Sequence, residues 1–282
     1  MAFSTLVSVS DLAEHVEDPS WVILDARFTL DDEQWGRAAY SDGHIPGAQY
    51  ADLATDLAGP IVAGVTGRRP FPDPDEFATR LSEWGVGPGT QVVAYDAANG
   101  LMAASRLWLM LRWMGHDEVA VLDGGVNSWL AAGHPLGVET PRPAPARFVS
   151  RLRPELLASV EQVETARGAV STCVFDSRGA DGYHGRGHYH DLVRGHIPGA
   201  GLADRSDTTS SDGHWRSAPE LHKHYRAVLG EVDPRDVIFY CGSGVTAAQN
   251  VLGMAIAGMD GSRMYVGSWS EWITDPHRPV EL

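Results

Sequence analysis

Continuous apolar runs of strand length occur at Trp21 to Asp25, Gln91 to Tyr95 and Val119 to Leu122. Between them, Asp75 to Trp84 and Leu101 to Met114 carry apolar residues at helical spacing. The strand runs do not alternate polar with apolar, so both faces are expected to be covered, as in parallel strands joined by crossover helices. The pattern predicts an α/β fold built on an open parallel sheet flanked by helices.

The chain then repeats itself. Gly-His-Ile-Pro-Gly-Ala stands at 43–48 and again at 195–200, a shift of 152, and Leu24-Asp25-Ala26-Arg27 returns as Phe175-Asp176-Ser177-Arg178, a shift of 151. Val92 to Asp96 corresponds to Val237 to Cys241, and Gly124 to Trp129 to Gly267 to Trp272, with shifts of 145 and 143. Order is kept while loops shorten, and a period this long indicates a duplicated domain rather than a solenoid. The expected division is a first domain over 1–137, a Pro-rich linker over 138–148 and a second domain over 149–282.

Composition narrows the function. The 282 residues are 43% hydrophobic and 21% charged, which suits a folded protein with room for two domains. A net charge of −15 would repel phosphate backbones and anionic lipid, so neither nucleic acid nor membrane is an expected partner. The stretch from Arg106 to Met114 is interrupted by charge and is too short to span a bilayer. Two cysteines form no disulfide framework, and the N-terminus lacks a basic region followed by an apolar run. A cytoplasmic location is expected.

In open parallel sheets the ligand site lies beyond the carboxyl ends of the strands. The two copies differ there. After Val237-Ile238-Phe239-Tyr240 comes Cys241-Gly242-Ser243-Gly244-Val245-Thr246, followed by a helical pattern from about Ala247 to Ala257 and a capping Gly258. A glycine-rich turn before a helix lets backbone N–H groups converge on one point, which stabilises a thiolate and can also hold an anionic substrate group. Cys241 is therefore the expected nucleophile, although burial as a small apolar side chain is the commoner fate of a cysteine. Cys173, at the start of a predicted strand, is assigned to packing. In the first copy Asp96 replaces the cysteine, so that domain has no thiol to offer. A cysteine phosphatase would need arginine six positions after the cysteine, where this chain has Ala247.

With the Asp-x-Arg strand ends, both Gly-His-Ile-Pro-Gly-Ala repeats, Leu122-Asp123-Gly124-Gly125 with Trp129, Gly267-Ser268-Trp269 and the Cys241 loop in view, the chain resembles the tandem-domain rhodanese-like sulfurtransferases from Ser8 to about Trp272. The resemblance implies an inactive first domain, an active second one, and a cysteine that cycles between thiol and persulfide. It implies a small-molecule sulfur donor, a thiol, cyanide or thioredoxin-like acceptor, and no metal or organic cofactor. The neutral loop is similar to that of 3-mercaptopyruvate sulfurtransferases, whereas thiosulfate-specific members resemble Cys-Arg-Lys-Gly-Val-Thr. The expected site is thus Cys241 with Ser243 as catalytic residues, Ser243 bonding the donor's keto oxygen or leaving enolate, and Gly242, Gly244, Val245 and Thr246 as the cradle. Thiosulfate transfer is the alternative, and a persulfide carrier or redox module with little turnover on small donors is another.

Two positions depart from the pattern. The family's carboxylate-binding arginines align with Gly182 and Tyr189, leaving Arg186 in the same loop as the expected substrate cation. A histidine of the first domain, in a Gly-Arg-His-Pro stretch, is replaced within Gly67-Arg68-Arg69-Pro70, where Arg69 would add positive charge instead. His184, His188, His190, Asp191 and His196 crowd one region, but without a cysteine among them they are read as polar surface near an entrance, with no metal expected. His44 and His196, and Asp25 and Asp176, occupy matching places in both copies and are read as structural.

Overall fold

A computed structural model describes residues 2–141, 143, 146–169, 173–186 and 191–282. The chain forms two compact units. One comprises Met1–Gly59, Phe71–Arg153 and Gly213–Trp215; the other comprises Pro60–Pro70, Pro154–Asp212 and Arg216–Leu282. Each unit thus contains a short segment from the opposite half of the sequence, which a division of the chain at a linker does not anticipate.

The first unit holds a five-stranded parallel sheet of β1 (Leu6–Val7), β2 (Trp21–Asp25), β3 (Gln49–Tyr50), β4 (Gln91–Tyr95) and β5 (Val119–Leu122), in the order β1-β5-β4-β2-β3. The second repeats it with β6 (Leu157–Ala158), β7 (Val174–Asp176), β8 (Gly201–Leu202), β9 (Ile238–Tyr240) and β10 (Arg263–Tyr265), in the order β6-β10-β9-β7-β8. The α/β expectation holds for both. All five residues of β4 and all three of β9 are buried, as strands covered on both faces should be.

The predicted helices form with small shifts in their ends, at Pro74–Glu83, Ala103–Trp113 and Ala247–Ile256. Asp73 caps the first by accepting the N–H groups of Asp75 and Glu76, with Pro74 at the first helical position. Gly258, at φ 68°, follows the third, where a left-handed residue ends the helix without a Cβ penalty.

The repeated motifs lock each sheet in the same way. Asp25 pairs in register with Tyr95, whose hydroxyl donates to its carboxylate at 2.7 Å, and Arg27 closes on Asp25 at 2.6 Å. Asp176 lies opposite Tyr240, and Arg178 closes on Asp176 at 2.6 Å. His44 stacks on Tyr40 and bonds its carbonyl; His196 stacks on Tyr183 and bonds its carbonyl. Satisfied buried polar groups at matching places account for the symmetry of these residues.

Candidate active site

Strand β9 delivers Cys241 to the carboxyl edge of the second sheet, directly before the helix Ala247–Ile256. The side chain is 1% exposed. Burial raises a thiol's pKa, but here the Thr246 hydroxyl, the backbone N–H groups of Ser243 and Ala247, and the Ser268 hydroxyl outweigh it and hold Cys241 below its ordinary value. The expected ring of donors therefore exists, with two hydroxyls added to the backbone.

The loop keeps its curl through Gly244, at φ 74°, where a Cβ would come within 2.0 Å of the Val266 carbonyl oxygen. No side chain fits there. Ser243 and Val245 are buried in the same loop, and Gly242 is partly open. The segment Gly267–Ser270 braces the loop, because Trp269 N–H donates to the Cys241 carbonyl at 3.0 Å and Ser270 N–H to the Gly242 carbonyl at 2.9 Å. Ser268 occupies the left-handed region at φ 54°, an uncommon place for a residue with a Cβ, and its Oγ accepts the Cys241 N–H at 3.1 Å. The matching residue in the first unit is Gly125, at φ 59°. That contrast of Gly124-Gly125 with Gly267-Ser268 is a sequence signal for Ser268 that motif matching passes over.

The cation at this site comes from the segment Pro60–Pro70. Gly67 packs so tightly that a Cβ on it would lie 2.4 Å from the Gly267 carbonyl oxygen, and the next residue, Arg68, donates its backbone N–H to Ser270 Oγ at 3.0 Å. The Arg68 guanidinium then reaches the loop: Nη2 lies 3.7 Å from where a Gly242 Cβ would stand. Burial pulls its pKa down and the Cys241 sulfur pulls it back up. Its side chain also forms an ion pair with Asp191.

Arg186 sits in the loop that follows the helix Ala180–Tyr183. Its guanidinium is 64% exposed and faces Asp181 at 3.6 Å. At Gly182 a Cβ would meet the Arg178 Cβ at 2.8 Å, so the backbone there leaves no room for an arginine, while Tyr189 lies outside the described residues. Arg178 pairs with Asp176, rests its guanidinium 5.2 Å over Trp269, and contributes positive charge toward Cys241. Among the described residues no three His, Cys, Asp or Glu side chains gather as metal ligands; His188 and His190 lie outside them.

The corresponding loop of the first unit is closed by its own side chain. The buried Asp96 carboxylate accepts the N–H groups of Ala98, Gly100, Met102 and Ala104 at 2.8 to 3.1 Å. Converging donors are thus a property of both copies, and only the second presents them to a thiol.

A duplicated parallel α/β unit with a hydrogen-bonded cysteine at one strand end defines a class of tandem-domain cysteine enzymes. The Rhodanese-like domain family matches residues 8–132 and 159–275, and the chain belongs to that family. It is 40% identical over 281 residues to a probable 3-mercaptopyruvate sulfurtransferase of Pseudomonas aeruginosa, covering 99% of each chain. It is 33% identical over 254 residues to the thiosulfate sulfurtransferase of Gallus gallus, covering 89% of this chain and 86% of that one. Among solved structures, SseA from Escherichia coli, described as a 3-mercaptopyruvate sulfotransferase, is similar with a TM-score of 0.80 at 30% identity, over 95% of this chain and all of that one. The protein is an enzyme of the sulfurtransferase type.

Proposed function

We propose that this enzyme takes sulfur from 3-mercaptopyruvate and passes it to a thiophilic acceptor through a persulfide on Cys241. The observation that carries the reading is a buried thiol within reach of the Ser268 hydroxyl, in a loop of neutral side chains, with the guanidinium of Arg68 against the loop. A loop without cationic side chains suits a donor with one carboxylate better than a dianion. In the first step the Cys241 thiolate attacks the donor's sulfur, the new S–S bond forms as the S–C bond breaks, and the electron pair leaves on carbon as pyruvate enolate. The proton of the donor thiol passes to that carbon, giving pyruvate and a Cys241 persulfide anion. In the second step an acceptor thiolate or cyanide takes the outer sulfur and returns Cys241 as thiolate.

In this reading Arg68 pairs with the donor carboxylate and Ser243 donates to the keto oxygen as charge develops there. Gly242, Gly244 and Val245 supply the backbone cradle, and Thr246 stabilises the sulfur anion. The expected part of Arg186 passes to Arg68. A cytoplasmic enzyme is consistent with a content of only two cysteines; among the described residues no helix is long and apolar enough to cross a membrane.

Thiosulfate is the second reading, favoured by the positive charge that Arg68 and Arg178 direct at Cys241. Reduced protein incubated with each donor and followed by intact-mass spectrometry tests both. The expected result is addition of one sulfur, faster from 3-mercaptopyruvate and absent in Cys241→Ser. Faster loading from thiosulfate overturns the donor assignment, and loading without turnover to small thiols would favour a persulfide carrier.

A further inference from the structure

Asp191 stands where an anion-binding site should least tolerate a negative charge. Its carboxylate forms an ion pair with Arg68, the cation against the Cys241 loop, and its side chain is only 11% exposed while that of Arg68 is 36% exposed. An incoming anionic donor must share or replace that carboxylate at the guanidinium. It must also bind close to a fixed negative charge held in a poorly hydrated place.

We propose that Asp191 sets the donor specificity of this enzyme by charge: it disfavours dianionic sulfur donors and leaves the site to monoanionic ones. The inference rests on the sulfurtransferase reading above. Coulomb repulsion grows in proportion to the donor's charge, so the factor by which Asp191 weakens a monoanion is squared for a dianion. If the carboxylate costs a monoanion about threefold in kcat/KM, it costs a dianion about tenfold. Freeing Arg68 adds attraction that likewise grows with the donor's charge, so the ratio between the donors reports the whole charge effect of Asp191, direct and through Arg68. Asp191 acts here through the local field and through Arg68, and is a specificity-determining residue rather than a catalytic one.

The test is Asp191→Asn, which keeps the size and removes the charge, measured with thiosulfate and with 3-mercaptopyruvate against a common thiol acceptor. The expected result is a rise of about tenfold in kcat/KM for thiosulfate and about threefold for 3-mercaptopyruvate, both shrinking at high salt because screening weakens the repulsion in the wild type. Asp191→Glu, which retains the charge, should leave the ratio within about a factor of two of wild type. An unchanged ratio in Asp191→Asn overturns the proposal, as does a fall for both donors comparable to that in Arg68→Ala, which would make Asp191 a mere anchor for Arg68. Wild-type protein that gains sulfur from neither donor would sink the sulfurtransferase reading and this inference with it. Normal loading with an unchanged ratio would sink this inference alone.

Discussion

Ser268 and Cys241 are joined at two points: the serine Oγ accepts the cysteine's backbone N–H at 3.1 Å and lies 3.9 Å from its sulfur. To reach both, Ser268 holds a left-handed backbone, φ 54°, which costs a residue with a Cβ on the order of 1 kcal/mol. The first unit places glycine at this position and has no cysteine to serve. The strain therefore occurs in the copy where a side-chain hydroxyl has work at the sulfur.

Replacing Ser268 by glycine relieves the backbone and removes the hydroxyl. The two effects, each about 1 kcal/mol, should leave stability changed by less than about 1 kcal/mol. Thiolate reactivity should suffer instead. Alkylation of Cys241 by iodoacetamide at pH 7 is expected to slow by about threefold to tenfold, with its pH midpoint displaced upward.

Thr246→Val tests the other hydroxyl. Hydrogen bonds lower the Cys241 pKa against the effect of burial, so in the wild type the thiolate persists at pH values where a free thiol is protonated, and reactivity is lost only as pH falls through the lowered pKa. Without the Thr246 donor that loss should begin at higher pH. Near neutrality kcat/KM should fall by about tenfold, or about 1.4 kcal/mol, and the deficit should narrow under alkaline conditions, as a pH–rate profile would show.

Arg68→Ala should raise KM for an anionic donor by about tenfold to a hundredfold, the value of a charge-assisted contact, with a smaller effect on kcat. Arg68→Lys should recover part of the loss. Initial rates over a range of donor concentrations separate the two parameters, and an unchanged KM would remove Arg68 from the donor site.

Asp96→Ala should unfold the first unit more easily, because four N–H groups at a buried loop would lose their acceptor. A loss of about 3 kcal/mol or more is expected in urea unfolding, with Asp96→Asn retaining part of the stability. Under conditions where the variant is folded, sulfur loading on Cys241 should continue.

The sequence by itself determined the α/β class, the duplication, the central strands and the family, and singled out Cys241 as the candidate nucleophile, because each is written in residues close together along the chain. Strand β9, the glycine turn and the helix after it are consecutive, so the part of the Cys241 ring made by Ser243, Thr246 and Ala247 follows from local geometry, whereas Ser268 joins it from 27 positions away. The edge strands β1, β3, β6 and β8 were not legible, since two-residue pairings leave no periodicity to detect. Tertiary structure alone decided the electrostatics of the site. Arg68 reaches the loop because Gly67 fits against Gly267, and it bonds Ser270 across 202 positions of sequence and Asp191 across 123. Spacing points to Arg186 as a substrate cation, and the folded chain sets its guanidinium opposite Asp181 at 3.6 Å. A strand and its following turn are fixed by short-range hydrogen bonds and backbone preference, whereas the charge beside a thiol depends on which distant segments pack against it, and only the folded chain specifies that.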